Sequence, residues 1–225
     1  MEQAQQKKYL ILVFMLLACN SLQAQYYSGA VKCRDEVYAG SDRAYIKTHR
    51  IPGRAHSFDT FKDFYFSDLL IPDEDMAANP DISKDSENPR LPEEEINVDI
   101  KLAYIYGIYR EDDNDYHMII GDGSMDTNKM HLFNVEISAL AGDEEDPVLV
   151  GIRAKIVDYF GDITCNTITY KPKKVTEVIP IRIKGALFFD IDHPVLNGKR
   201  KVGWGPYKPF SAWELHPVTY LKFLD

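Results

Sequence analysis

The sequence predicts a mainly β domain, a small barrel, from three observations. Apolar and polar residues alternate over five separate stretches, which is the period of strands with one buried face. The first three stretches are joined by short polar turns, so they return on one another as an antiparallel meander. One segment between the third and fourth stretches switches to helical spacing.

The first strand covers residues 96–108, where Ile96, Val98, Ile100, Leu102, Tyr104, Tyr106 and Ile108 hold the even positions and Asn97, Asp99 and Lys101 lie between them. A polar turn at residues 111–114 leads to a second strand over 115–121, with Tyr116, Met118 and Ile120 on its core face. After a stretch rich in Gly, Asp and Asn, a third strand runs over 130–138 with Phe133, Val135 and Ile137 inward. Asp146 then offers a helix-capping carboxylate, and Pro147 has the fixed φ that suits a first helical position. Leu149, Ile152, Ile156 and Phe160 repeat at helical spacing until Gly161. Strand four spans 178–189, with Ile179, Ile181, Ile183, Leu187 and Phe189 apolar, and strand five spans 212–223, with Trp213, Leu215, Leu221 and Phe223. Three strands, a helix and two strands is the order of an OB-type barrel. An open α+β sheet crossed by one helix has the same order and stands as the alternative.

Four parts are expected along the chain. Residues 1–24 read as a signal peptide: Lys7 and Lys8 precede an apolar run at 9–18, too short to span a bilayer, and Ala24-Gln25 is a cleavage site. Leu16-Leu17-Ala18-Cys19 resembles a lipobox, which makes a lipid anchor at Cys19 the competing outcome and the one route to a membrane. The expected location is therefore periplasmic or extracellular. Residues 25–71 are aromatic-rich without a sustained period and read as an irregular segment packed on the body, with one short helix near 60–70. Residues 72–95 hold Pro72, Pro80, Pro89 and Pro92 among acids and read as an acidic loop, leaving 96–225 as the barrel domain.

The chain has 225 residues, 45% of them apolar, and a formal charge of −9. Such a chain folds, and its acidity disfavours contact with phosphate backbones unless a metal or a basic patch intervenes. The basic runs at 171–174 and 199–201 are too short to reverse that, and read as solvated loops. Cys33 and Cys165 either pair in an oxidising compartment or stay as separate buried thiols. Neither has the Cys/His spacing of a structural zinc site.

Polar residues opposite the core carry the functional signal. The second strand contributes Asp115 and His117, with Asp113 in the turn before it, and the third contributes Glu136. Asp190, Asp192 and His193 follow strand four, and Glu214 and His216 lie on strand five. Residues two apart on a strand share a face, so Asp115 joins His117 and Glu214 joins His216. Carboxylates and imidazoles on adjacent strands suit a divalent cation, Ca²⁺ or Mg²⁺ where oxygens dominate and Zn²⁺ or Mn²⁺ where two histidines join. They also suit a general acid and base pair. An exposed sheet face carries such residues too, so a solvated face is the bland alternative. Gly203-Trp204-Gly205-Pro206-Tyr207 is a candidate lid or stacking platform, the alternative being a loop packed over a barrel end.

The segments Glu111-Asp-Asp-Asn-Asp115-Tyr-His117, Val135-Glu136-Ile137, Lys184-Gly185-Ala-Leu-Phe188-Phe189-Asp190-Ile-Asp-His193 and Trp213-Glu214-Leu215-His216-Pro217-Val218 resemble a family of exported bacterial proteins of unknown function. Its marks are a DGDxH-type turn, a glutamate in the next strand, a GxGFFDxxH segment and a closing IELHPV strand. Ile46-Lys47-Thr48 and Arg90-Leu-Pro92-Glu93 look like that family's N-terminal pieces, so the resemblance spans residues 43–223. It implies a shared site without naming its chemistry. A fold-level likeness to thermonucleases, OB-type enzymes holding Ca²⁺ beside a scissile phosphate, puts Asp113, Asp115 and Glu136 in corresponding places. The third strand lacks a phosphate-clamping arginine, and Arg153 and Arg182 are the available substitutes.

Two functions follow. The first is an exported, non-catalytic OB-like binding module that uses the polar face with His193, Trp204 and Tyr207 to hold a ligand or an envelope partner. The second is a metal-dependent hydrolase acting on phosphodiesters, the only reading that brings in nucleic acid. There Asp113, Asp115 and His117 hold the cation and Glu136, Glu214 and His216 are the catalytic candidates, with Glu136 or Glu214 activating water.

Overall fold

The computed structural model describes residues 33, 35–40, 43–82, 90–142, 146–163, 165–166, 168–171, 177–191, 207–209 and 211–225. The expected signal peptide with Cys19, both His193 and Trp204, and most of the basic runs lie outside the described residues. In chain order the elements are α1 (Ala44–Thr48), β1 (His56–Phe58), α2 (Phe61–Tyr65), α3 (Asp73–Ala77), a 3₁₀ turn (Pro92–Glu94), β2 (Asn97–Arg110), β3 (Tyr116–Gly121), β4 (Leu132–Ile137), α4 (Pro147–Phe160), β5 (Ile179–Phe189) and β6 (Trp213–Phe223).

The sheet runs β1-β2-β3-β4-β6-β5, and β5 pairs again with β2, which closes five strands into a barrel. β4 and β6 are parallel while the other barrel pairs are antiparallel. A meander, a helix, and a last strand inserted parallel to the third is the OB connectivity, so the closed barrel holds and the open sheet does not. β2 makes closure workable. Its first half pairs with β5, its second half with β3, and register shifts between Ile100 and Ala103 and between Ile105 and Gly107 bend it from one neighbour to the other.

Val98, Ile100, Met118, Ile120, Phe133, Val135, Ile183, Leu187, Leu215 and Leu221 fill the interior. The Asp146 carboxylate caps α4 by accepting the Val148 N–H at 2.8 Å, and Gly161, at φ 74°, ends it in a conformation only glycine adopts cheaply. Ile152 and Ile156 on α4 are fully buried against the barrel core, each worth about 1.5–3 kcal/mol.

The short helix expected near residues 60–70 is present as α2: Thr60 and Asp63 form a reciprocal capping box at its start, and it ends at Tyr65. The acidic stretch is only partly a loop, because it contains α3, and Asp73 accepts the Ala212 N–H and the Ser211 hydroxyl, both at 2.7 Å. Neither feature has a periodic signal, since elements of five residues are held by caps and tertiary bonds rather than by an apolar stripe.

The segment before α1 is a strap across the outside of the barrel. The Tyr38 N–H donates to Leu140 O at 2.9 Å, the Leu140 N–H to Glu36 O at 2.8 Å, and the Ala39 N–H to Asp113 O at 2.8 Å. Cys33 is disulfide-bonded to Cys165, and Arg43 forms a buried two-point ion pair with Glu94 at 2.6 and 2.5 Å. The strap therefore turns part of the outer sheet face into an interior.

Candidate metal centre

Strand register places the polar residues. Met118 and Ile120 face the core, so Asp115, just before β3, and His117 point outward with the opposite phase. His117 is paired with Glu136 across β3 and β4, and with Tyr109 across β2 and β3. Asn134, two residues before Glu136 and on its face, is paired with Glu214 on β6, and His216 follows at the same phase. Three neighbouring strands thus aim five ionisable groups at one patch, which the strap covers. Asp115 and His216 are 0% exposed, and the side chain of Glu136 is 7% exposed. The alternative of a solvated face is therefore excluded at this patch.

The contacts form two trios that share Glu136. In one, Asp115, Glu136 and His216 each offer a ligand atom and the three lie within 4.8 Å of one another. His216 Nε2 is 3.5 Å from Asp115 Oδ2, and His216 Nδ1 is 2.9 Å from Glu136 Oε2, both too bent for hydrogen bonds. His216 Nδ1 does meet Glu214 Oε1 in hydrogen-bond geometry at 3.2 Å. In the other trio, His117 Nδ1 lies 3.2 Å from Glu111 Oε1 and 3.3 Å from Glu136 Oε1, again off the hydrogen-bonding line. Its Nε2 meets Asn134 Oδ1 at 3.1 Å, and the ring stacks on Tyr109 with centroids 4.9 Å apart. Asp115 Oδ2, Glu136 Oε2, Glu214 Oε2, His117 Nδ1 and His216 Nε2 are buried without a hydrogen-bond partner.

Acidic groups crowd the site. Asp113, Asp115, Glu136 and Glu214 gather around Lys47, whose ammonium reaches in from α1 and lies 5.6 Å from the Phe188 ring. Burial disfavours a charged His117, but Glu111 and Glu136 raise it to about 10. Burial drives the Asp115 carboxyl well above its usual range, and the neighbouring Asp113 adds to it. Burial drives Glu214 up likewise, with Glu136 and Asp190 adding to it. Glu136 goes the other way: burial works against its charge, but the two imidazoles outweigh it and hold the carboxyl well below its usual range. Burial disfavours a charged Lys47, yet Tyr38, Glu136, Asp113 and Glu214 raise it well above its ordinary value. If both were ionised, Asp115 and Glu136, which lie within 4.8 Å of one another, would repel by about 3.5 kcal/mol or more at an effective dielectric of 20. Protons or cations must neutralise such a group.

The residues singled out from sequence do not all meet. Asp115, His117, Glu136, Glu214 and His216 come together, but Asp115 and His117 fall in different trios. Asp113 belongs to neither; its carboxylate accepts the Asp115 N–H at 3.2 Å, a positioning contact. Tyr207 is buried elsewhere, against Tyr106 in a separate apolar cluster with Ile119 and Leu132, so the expected ligand platform gets no support from it. Glu111, Asn134, Lys47 and Tyr109 were not assigned to the site. Glu111 and Lys47 lie in the segments that carry the resemblance, and Asn134 has a signal in its place two residues before Glu136.

No family model, curated protein or solved structure matches this chain. The site must be interpreted from its own chemistry.

Proposed function

We propose that this chain is an exported, non-catalytic OB-type binding module whose ligand is a divalent cation, held between the barrel's outer face and the N-terminal strap. The observation that carries the reading is the buried convergence of Asp115, Glu136 and His216, in which Asp115 Oδ2, Glu136 Oε2 and His216 Nε2 lack hydrogen-bond partners. A cation supplies the missing interaction for each and offsets the crowded carboxylates. Mixed imidazole and carboxylate donors favour Zn²⁺ or Mn²⁺ over Ca²⁺, which prefers six or more oxygens. The Cys33–Cys165 disulfide supports export, since such bonds persist in oxidising compartments.

A phosphodiester hydrolase has less support. Arg153 is engaged by Glu36 and by the Ser138 and Asn114 carbonyls, and Arg182 by Asp99 at 3.0 and 2.7 Å. Both stand-in phosphate clamps are therefore occupied, and the trio itself is shut from solvent.

The test is thermal unfolding of the mature chain after chelation, then with Zn²⁺, Mn²⁺, Mg²⁺ or Ca²⁺ restored. An ion at 100 times its dissociation constant adds about 2.7 kcal/mol. An ion-specific rise that disappears in His216→Ala supports the reading. No bound ion and no shift with any of the four overturns it.

A further inference from the structure

We propose that the cluster holds two divalent ions bridged by the Glu136 carboxylate, an inference that rests on the metal-binding reading above. Glu136 belongs to both trios through different oxygens: Oε1 is 3.3 Å from His117 Nδ1, and Oε2 is 2.9 Å from His216 Nδ1. A carboxylate presenting each oxygen to a separate imidazole has the arrangement of a bridging ligand, which spans metals about 3.5–4 Å apart in two-metal sites.

The second trio has its own independent mark, the orientation of His117. Nε2 lies 3.1 Å from Asn134 Oδ1, and Nδ1 is turned between the Glu111 and Glu136 carboxylates, at 3.2 and 3.3 Å, where it is buried without a hydrogen-bond partner. A cation between the three takes the place of the proton that the carboxylates otherwise favour on this nitrogen, and makes every contact attractive. The same outer-shell arrangement, an imidazole N–H held by a fixed acceptor while its other nitrogen faces outward, orients metal-ligating histidines generally. Tyr109 fixes the assembly from the side: its ring stacks on His117 and its hydroxyl donates to Glu111 Oε1 at 2.7 Å.

The two positions differ in access. The Asp115–Glu136–His216 position is closed, whereas Glu111 in the other is 29% exposed. The ion beside His117 and Glu111 should therefore exchange with solvent first, and the ion beside His216 should be retained longer.

The test is titration of the chelated mature chain with Mn²⁺, reading bound metal per chain by elemental analysis after desalting and the spin coupling by electron paramagnetic resonance. The expected result is two Mn²⁺ per chain with an exchange-coupled signal, one per chain without coupling in His117→Ala and in His216→Ala, and biphasic release to a chelator in wild type. Saturation at one Mn²⁺ in wild type, retained in His117→Ala, overturns the bridged pair and leaves the single-ion reading standing. No Mn²⁺ or Zn²⁺ in wild type removes both. Two uncoupled Mn²⁺ ions unaffected by His117→Ala would also overturn the bridge, by placing the second ion elsewhere.

Discussion

Asp115→Asn should change sign with metal. In the metal-free chain, Asp115 lies within 4.8 Å of Glu136, and burial with Asp113 drives its carboxyl well above the usual range. At neutral pH it either takes up a proton at a cost or stays charged against a repulsion of about 3.5 kcal/mol at an effective dielectric of 20. His216 sits against both and offsets part of that, leaving a surplus of about 1–3 kcal/mol. An amide removes the charge at nearly constant shape, and its Oδ1 still accepts the Ala139 N–H that Asp115 holds at 2.5 Å. With chelator present the variant should therefore be more stable than wild type by that surplus, a rise of several degrees at about 2–4 °C per kcal/mol for a chain of this size. With Zn²⁺ or Mn²⁺ at 100 times the wild-type dissociation constant, wild type gains about 2.7 kcal/mol and the variant gains little, so the order reverses. Differential scanning calorimetry with and without ion reads both arms. A variant that is less stable than wild type by the same amount in chelator and in metal would refute the argument, since it would make Asp115 an ordinary structural acceptor.

Three further outcomes follow from the frame around the site. Cys33→Ser should cost about 2–5 kcal/mol by urea unfolding, because the bond closes a loop of 132 residues, and it should speed metal release by loosening the strap. Glu94→Gln should cost about 3–5 kcal/mol by the same measurement, because it leaves Arg43 charged and buried without its anion. Asp99 is held below its usual pKa of 3.8 by the Arg182 hydrogen bond, which together with Lys184 outweighs the effect of burial, so its contribution is present above that pH and disappears as pH falls through the lowered value. Melting temperatures of wild type and Asp99→Asn should therefore differ at pH 6 and converge toward pH 2; a constant gap across that range would contradict the linkage.

The barrel was legible because its strands obey a two-residue period and its helix has both a cap and a stop. Phe133, Val135 and Ile137 could face only one way, and their phase forced Asn134 and Glu136 to the other. The strap was not legible. It is held by backbone bonds to Leu140 and Asp113, by a disulfide and by the Arg43–Glu94 pair, and none of these leaves a periodic trace. That gap is why a solvated face stood beside the site reading: five ionisable residues on a sheet fit either until something is known to cover them. Parallel pairing of β4 with β6 was equally invisible locally, yet it is what brings Glu214 and His216 beside Glu136. Glu111 was passed over as an ordinary turn acid, and only the fold shows its carboxylate reaching back to His117.

The most direct measurement is anomalous diffraction from a crystal of the mature chain grown with Zn²⁺. The account predicts an anomalous peak bonded to Asp115, Glu136 and His216 at about 2.0–2.2 Å, the range for zinc with oxygen and nitrogen donors. Density without a peak there, with the carboxylates and imidazoles at direct hydrogen-bond distance from one another, would contradict it.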